Sequence, residues 1–149
     1  MRSKILIPAV ATLSAVLPAG AVAAHAHAGH PEARAGQTTW HLVVKSTGQR
    51  IVGKTYLESE KVSRHATGFG LALLTCPGAA QAGVKVARCA LDLGTRGGTV
   101  RGALRLDNTT GAVSGTVTGG TGRFAGVSGT ITGQGQKSGA RLVITLKGL

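Results

Sequence analysis

Acidic side chains are scarce in this sequence: five Asp and Glu stand against 17 Lys and Arg, giving a formal net charge of +12, and no Asp or Glu follows Asp107. Aromatic rings are scarcer still, limited to Trp40, Tyr56, Phe69 and Phe124. Stacking platforms for single strands or sugars need planar rings at close spacing, so these few rings, even with His41 added, argue against specific nucleic-acid recognition. Past Val22 no apolar run is long enough to span a bilayer, so no integral membrane span is expected. No stretch keeps an i, i+3, i+4 apolar spacing through the turns a helix needs, which excludes a helical domain.

What is present begins with a leader. Arg2 and Lys4 precede an apolar stretch from Ile5 to about Val22, and small residues follow at Ala21, Ala23 and Ala24, the three parts of a secretory signal. Residues 1–24 are expected to be a signal peptide, cut between 23 and 28, and the product to be secreted and extracellular. Pro8, Thr12, Ser14, Pro18 and Gly20 interrupt the apolar run, which argues against a membrane anchor. Removal of the leader leaves 15 basic residues against five acidic, a net charge of +10. Residues 25–37 are rich in Ala, His, Gly and Pro without apolar period and should form a disordered tail. His25, His27 and His30 lie close together there, and cleavage after Ala24 would expose an amino terminus able to chelate copper or nickel. Tails of this composition are usually only tails, so no metal site is assigned and no cofactor is expected.

From residue 38 to 149 short runs of Val, Ile, Leu and Thr alternate with glycine, a β pattern. Strands are expected at Thr39 to Lys45, less regularly near Lys54 to Lys61, then at Gly68 to Thr75, Val84 to Leu93, Thr99 to Asp107, Ala112 to Thr118, Val127 to Thr132 and Arg141 to Lys147. The alternation is clearest where Val100, Leu104 and Leu106 oppose Arg101, Arg105 and Asp107, and where Leu142, Ile144 and Leu146 oppose Arg141 and Lys147. Ser114 to Gly119 is nearly repeated by Ser128 to Gly133, and glycines inside strands mark bulges, corners or close backbone approach. A sharply curved closed sheet accommodates them, so the fold class is all-β, a small eight-stranded antiparallel barrel. Export would place Cys76 and Cys89 in an oxidising compartment, where a disulfide is expected. A metal pair or a free catalytic thiol is disfavoured, because no histidine lies nearby.

Gly48 to Thr55 matches the phosphate-loop pattern G-x-x-x-x-G-K-[ST], and Gly120 to Ala125 matches the dinucleotide pattern G-x-G-x-x-G/A. Both are rejected. Ile51 and Val52 are β-branched where a phosphate loop must curl, α/β alternation is missing, and no carboxylate follows the second match to hold a ribose. For hydrolysis, His41, His65, Asp92 and Asp107 are available, but no serine sits in a G-x-S-x-G elbow and no triad can be argued. Glu58 and Glu60 on one strand would share a face about 7 Å apart, but a solvated edge beside Lys54, Lys61 and Arg64 is the expected setting.

Thr118-Gly119-Gly120-Thr121-Gly122-Arg123-Phe124-Ala125-Gly126, followed by Val127-Ser128-Gly129 and a last apolar strand, resembles the G-G-T-G-x-[FY] signature of the dirigent and allene oxide cyclase barrel superfamily. The early Gly53, a glycine-rich strand ending at Cys76 and a second cysteine at Cys89 resemble its bacterial secreted members. The resemblance covers roughly Trp40 to Leu149 and implies an eight-stranded antiparallel barrel with an apolar cavity. Plant dirigent proteins continue the motif as G-G-T-G-K-F-R-x-A-R-G, and this chain has Ala125 and Ser128 at those arginine positions. The resemblance therefore carries over neither the phenoxy-coupling residues nor any catalytic residue.

Arg88, Arg96, Arg101 and Arg105, with Lys85 and Arg123 in neighbouring segments, are read as a basic patch that could face an anionic polymer or the cell envelope. The expected function is that of a secreted barrel binding an apolar or amphipathic small molecule, with cyclisation or coupling guided by shape. The alternative is a non-catalytic basic surface or matrix protein adhering to anionic polymers. Neither reading fixes a catalytic residue, a ligand or an oligomeric state.

Overall fold

The period-two alternation of the sequence becomes a continuous meander in the computed structural model, which describes residues 36–149. The expected signal peptide, and His25, His27 and His30 in the expected tail, lie outside the described residues. Eight strands follow in order: β1 (Gln37–Val52), β2 (Thr55–Arg64), β3 (Thr67–Cys76), β4 (Val86–Thr95), β5 (Gly98–Asp107), β6 (Ala112–Gly120), β7 (Ser128–Gln136) and β8 (Gly139–Lys147). Each pairs antiparallel with the next and β8 returns to β1, closing the barrel without a free edge.

Every strand differs from its expected bounds by at least one residue, β1 most of all. β1 starts at Gln37, paired with Lys147, and a bulge between Ser46 and Gly48 lets it run on to Val52 as one arm of a hairpin with β2. That hairpin is the Gly48 to Thr55 segment, turned at Gly53 with φ 60°, so the phosphate-loop match is a strand–turn–strand. β4 starts at Val86, two residues after the expected Val84. β7 extends past Thr132 to Gln136 with glycine at 133 and 135.

The near-repeat lies in adjacent strands. In the antiparallel register Gly115 of β6 faces Ile131 of β7, and Val117 faces Gly129, so each bulky inward side chain meets a missing one. Gly102 makes the same allowance: a Cβ there would meet the Cδ1 of Ile131 at 2.6 Å. Close packing of this kind fills the interior with Leu42, Leu91, Val100, Ile131 and Ile144, all 0–2% exposed. These side chains pack the middle of the barrel, and cavities lie towards its two mouths.

Candidate functional site

Four connections, β1–β2, β3–β4, β5–β6 and β7–β8, surround one mouth, and it is acidic. β2 turns Tyr56, Glu58, Glu60 and Val62 to the barrel interior, since alternate residues of a strand share a face. Glu60 is 7% exposed, the one buried charged residue among those described. The solvated edge expected for Glu58 and Glu60 is thus corrected: Lys61 points outward from the same strand, while the two carboxylates point in. The cavity they enter has a volume of about 440 Å³ and a mixed lining, Leu74, Leu106, Val113 and Ala140 together with polar side chains that include Asp107, Asn108 and Lys137. A recess of about 290 Å³ beside it is lined by Leu74, Cys76, Ala79 and Ala87.

The two acids are held differently. Glu58 accepts hydrogen bonds from the Tyr56 hydroxyl at 3.0 Å and from Gln49 Nε2 at 3.1 Å. Glu60 has no ion-pair partner among the described residues. Burial, and then the neighbouring charge of Glu58, push its carboxyl up to about 7. Burial and the bond to Glu58 likewise push the Tyr56 hydroxyl up to about 12. Near neutrality Glu60 is therefore divided between its acid and its carboxylate, and can donate or accept a hydrogen bond or a proton in a cavity of mixed polar and apolar lining.

Cys76 and Cys89 form a disulfide, with Cα atoms 4.1 Å apart. Both side chains are buried, 2% and 6% exposed, and the bridge ties the ends of β3 and β4 together where they frame the acidic mouth.

The glycine motif lies at the opposite mouth. Gly120 presses against Thr99 and Phe124, where a Cβ could not fit, and the Thr121 hydroxyl accepts the Thr99 N–H at 3.1 Å. Gly122 has φ 61° and opens a 3₁₀ turn, Gly122–Phe124, which buries Phe124 edge-on to Trp40 at 5.4 Å. Gly119 carries φ 138° beside the bulge that shifts β6 against β5. The segment is a latch that seats Phe124 inside and leaves Arg123 outside it.

Among the basic residues, Arg88 and Arg105 stand directly opposite each other on the outer wall of β4 and β5. Arg101 pairs with Asp92 at 3.4 Å, and Arg96 lies in the β4–β5 turn at the far mouth. His41 and His65 both line a shallow depression of the outer wall with Arg141, away from Asp92 and Asp107.

No protein-family model and no curated protein matches this sequence. Solved structures that share the fold include these two. A pyocyanin demethylase aligns with a TM-score of 0.62 and 20% identity over 74% of this chain and 100% of its own. The Diels-Alderase AbmU from Streptomyces koyangensis aligns with a TM-score of 0.60 and 16% identity over 79% of this chain and 71% of its own. At these identities the likeness is one of fold.

Proposed function

We propose that the protein is an exported small-molecule-binding barrel whose acidic mouth takes an amphipathic ligand, its apolar body against Leu74, Leu106 and Val113 and its polar head on Glu60. The observation that carries this reading is a buried carboxyl without ion-pair partner, aimed into a cavity of ligand size. A cationic head is favoured, because Glu58 and Glu60 concentrate negative charge where solvent screening is reduced. Cyclisation or coupling could be guided there: the cup folds a flexible molecule on itself, and Glu60 gives or takes a proton at the reacting end. The neighbours named for demethylation and for a Diels–Alder reaction show that barrels of this shape house small-molecule chemistry, which supports the reading. The latch motif on a closed barrel supports kinship with the dirigent and allene oxide cyclase barrels. The leader and the disulfide support export, and intact mass of protein from culture medium would read leader loss and cysteine oxidation together.

Calorimetric titration with 1-naphthylmethylammonium and the uncharged 1-naphthylmethanol tests the site. The cation is expected to bind about tenfold more tightly, and Glu60→Gln to remove that preference. Equal affinities for the two probes, or a preference untouched by Glu60→Gln, would sink the proposal.

A second reading has an observation of its own. Arg88 and Arg105 are like charges in a direct cross-strand pair, flanked by Ser114 and Thr116 along a groove of about 520 Å³. Such a pair costs stability unless an anion bridges it. Adhesion to an anionic polymer should then fall steeply with salt and be lost in Arg88→Ala with Arg105→Ala.

A further inference from the structure

The mouth opposite the acidic one is framed by the β2–β3, β4–β5 and β6–β7 connections and has the reverse chemistry. Its cavity, about 310 Å³, is lined by Arg64, Arg96 and Arg123 above Trp40, Phe69 and Phe124. No carboxylate of the described residues lines it; Asp92, on the outer wall, is engaged by Arg101 at 3.4 Å. Three of the four aromatic rings of the chain thus meet at one end of the barrel, although they are spread over 85 positions from Trp40 to Phe124.

The site is built rather than incidental. Trp40 packs edge-on to Phe69 at 4.9 Å and to Phe124 at 5.4 Å, which fixes an aromatic floor. The Arg123 guanidinium lies over the Phe124 ring at 5.4 Å, and its stem crosses Gly97, where a Cβ would collide with it. The Arg123 N–H donates to the Gly97 carbonyl at 2.9 Å, so the latch sets the position of this charge. Arg64 adds a guanidinium that lines the cavity without a carboxylate partner among the described residues, and its Nε is buried with no acceptor. A buried guanidinium N–H without a partner is costly, and a planar oxyanion matches the guanidinium fork.

We propose that this basic mouth is a second ligand site, specific for small planar carboxylates carrying a flat apolar body. The carboxylate takes the terminal guanidinium N–H groups of Arg64 and of the neighbouring arginines in forked hydrogen bonds, and the flat body lies on the aromatic floor. The cavity is at the small end of ligand sites and holds a body of one or two rings.

The chain has a single tryptophan, and it forms the floor, so one indole N–H resonance reports on this cavity alone. Titration of the mature protein with 2-naphthoate is expected to move that resonance to saturation and to leave the Tyr56 ring signals in place. 2-Naphthamide, which has the same rings without the charge, should bind about tenfold more weakly. Arg64→Met should weaken naphthoate by a similar factor, while Arg141→Met on the outer wall should not change it. Should Arg64→Met fail to fold, as its amide spectrum would show, Arg123→Met on the surface carries the same expectation. Acid and amide binding alike, an unmoved indole resonance, or full affinity in the folded arginine variant would each overturn the proposal. Naphthoate binding that survives Glu60→Gln separates this site from the acidic mouth, whichever way the latter is decided.

Discussion

Glu60 binds its proton more tightly in the folded chain than in the unfolded one, and stability must follow. Its folded value of about 7 lies above that of an unfolded glutamate, near 4.3. Below about pH 4 both states are protonated and the residue contributes no pH dependence. Between about pH 4.5 and 7 the unfolded chain releases the proton that the folded chain keeps, so stability falls as pH rises, by about 1–3 kcal/mol. Denaturant titrations at pH 4.5 and pH 8 should show this loss in the wild type, and Glu60→Gln should flatten it and be the more stable protein at pH 8. Asp107 works in the opposite sense at lower pH. The Thr110 and Thr109 N–H groups, at 3.0 and 2.9 Å, lower its carboxyl, so its contribution is lost only as pH falls below the ordinary carboxylate range. Comparison of the two proteins therefore isolates Glu60. The glycines differ as sharply from one another: a Cβ at Gly115 would strike the Ala103 carbonyl, while one at Gly48 would meet nothing within 4 Å. Gly115→Ala should lower stability by about 1–3 kcal/mol and Gly48→Ala by less than about 0.5 kcal/mol, as thermal unfolding would read. Burial of Glu60 was not legible in the sequence because both faces of β2 carry charge, Glu58 and Glu60 on one and Lys61 on the other.

At the scale of elements, the β2–β3 turn places two non-glycine residues in the left-handed region, His65 at φ 49° and Ala66 at φ 63°. With both φ values positive the two-residue hairpin turn is of type I′, and alanine adopts it against its own sterics. Ala66→Gly should therefore raise stability by about 0.5–1 kcal/mol in chemical denaturation. The segment from Cys76 to Cys89 is closed by the disulfide, and replacing both cysteines by alanine should cost about 3 kcal/mol by the same measurement. Strands with one charged and one apolar face, such as β5 and β8, could be read directly, as could the cysteine pair. The long β1 could not, because a bulge at Ser46 and Gly48 breaks the alternation by which a strand is recognised. The glycine motif could be read as a resemblance, but its physical task, seating Phe124 against Trp40, depends on β1 lying across the barrel mouth from it.

Across the whole molecule, the closed meander sorts charge by end. Tyr56, Glu58 and Glu60 open into one mouth, and Arg64, Arg96 and Arg123 surround the other. Glu60 and Arg64 lie on the same strand, four residues apart, yet face different cavities because the packed interior separates the ends. Net charge, which a sequence states, conceals this polarity: a chain of +12 has a cavity lined by Glu58, Glu60 and Asp107. The one tyrosine and the one tryptophan sit in opposite cavities, which supplies a reporter for each. The most direct test is an NMR titration of the mature protein with 1-naphthylmethylammonium, following the Tyr56 ring and the Trp40 indole in the same spectra. Saturable shifts at Tyr56 with Trp40 unmoved, abolished by Glu60→Gln, are the predicted result. An unmoved Tyr56, or shifts that persist in Glu60→Gln, would contradict the account of the acidic mouth as the ligand site.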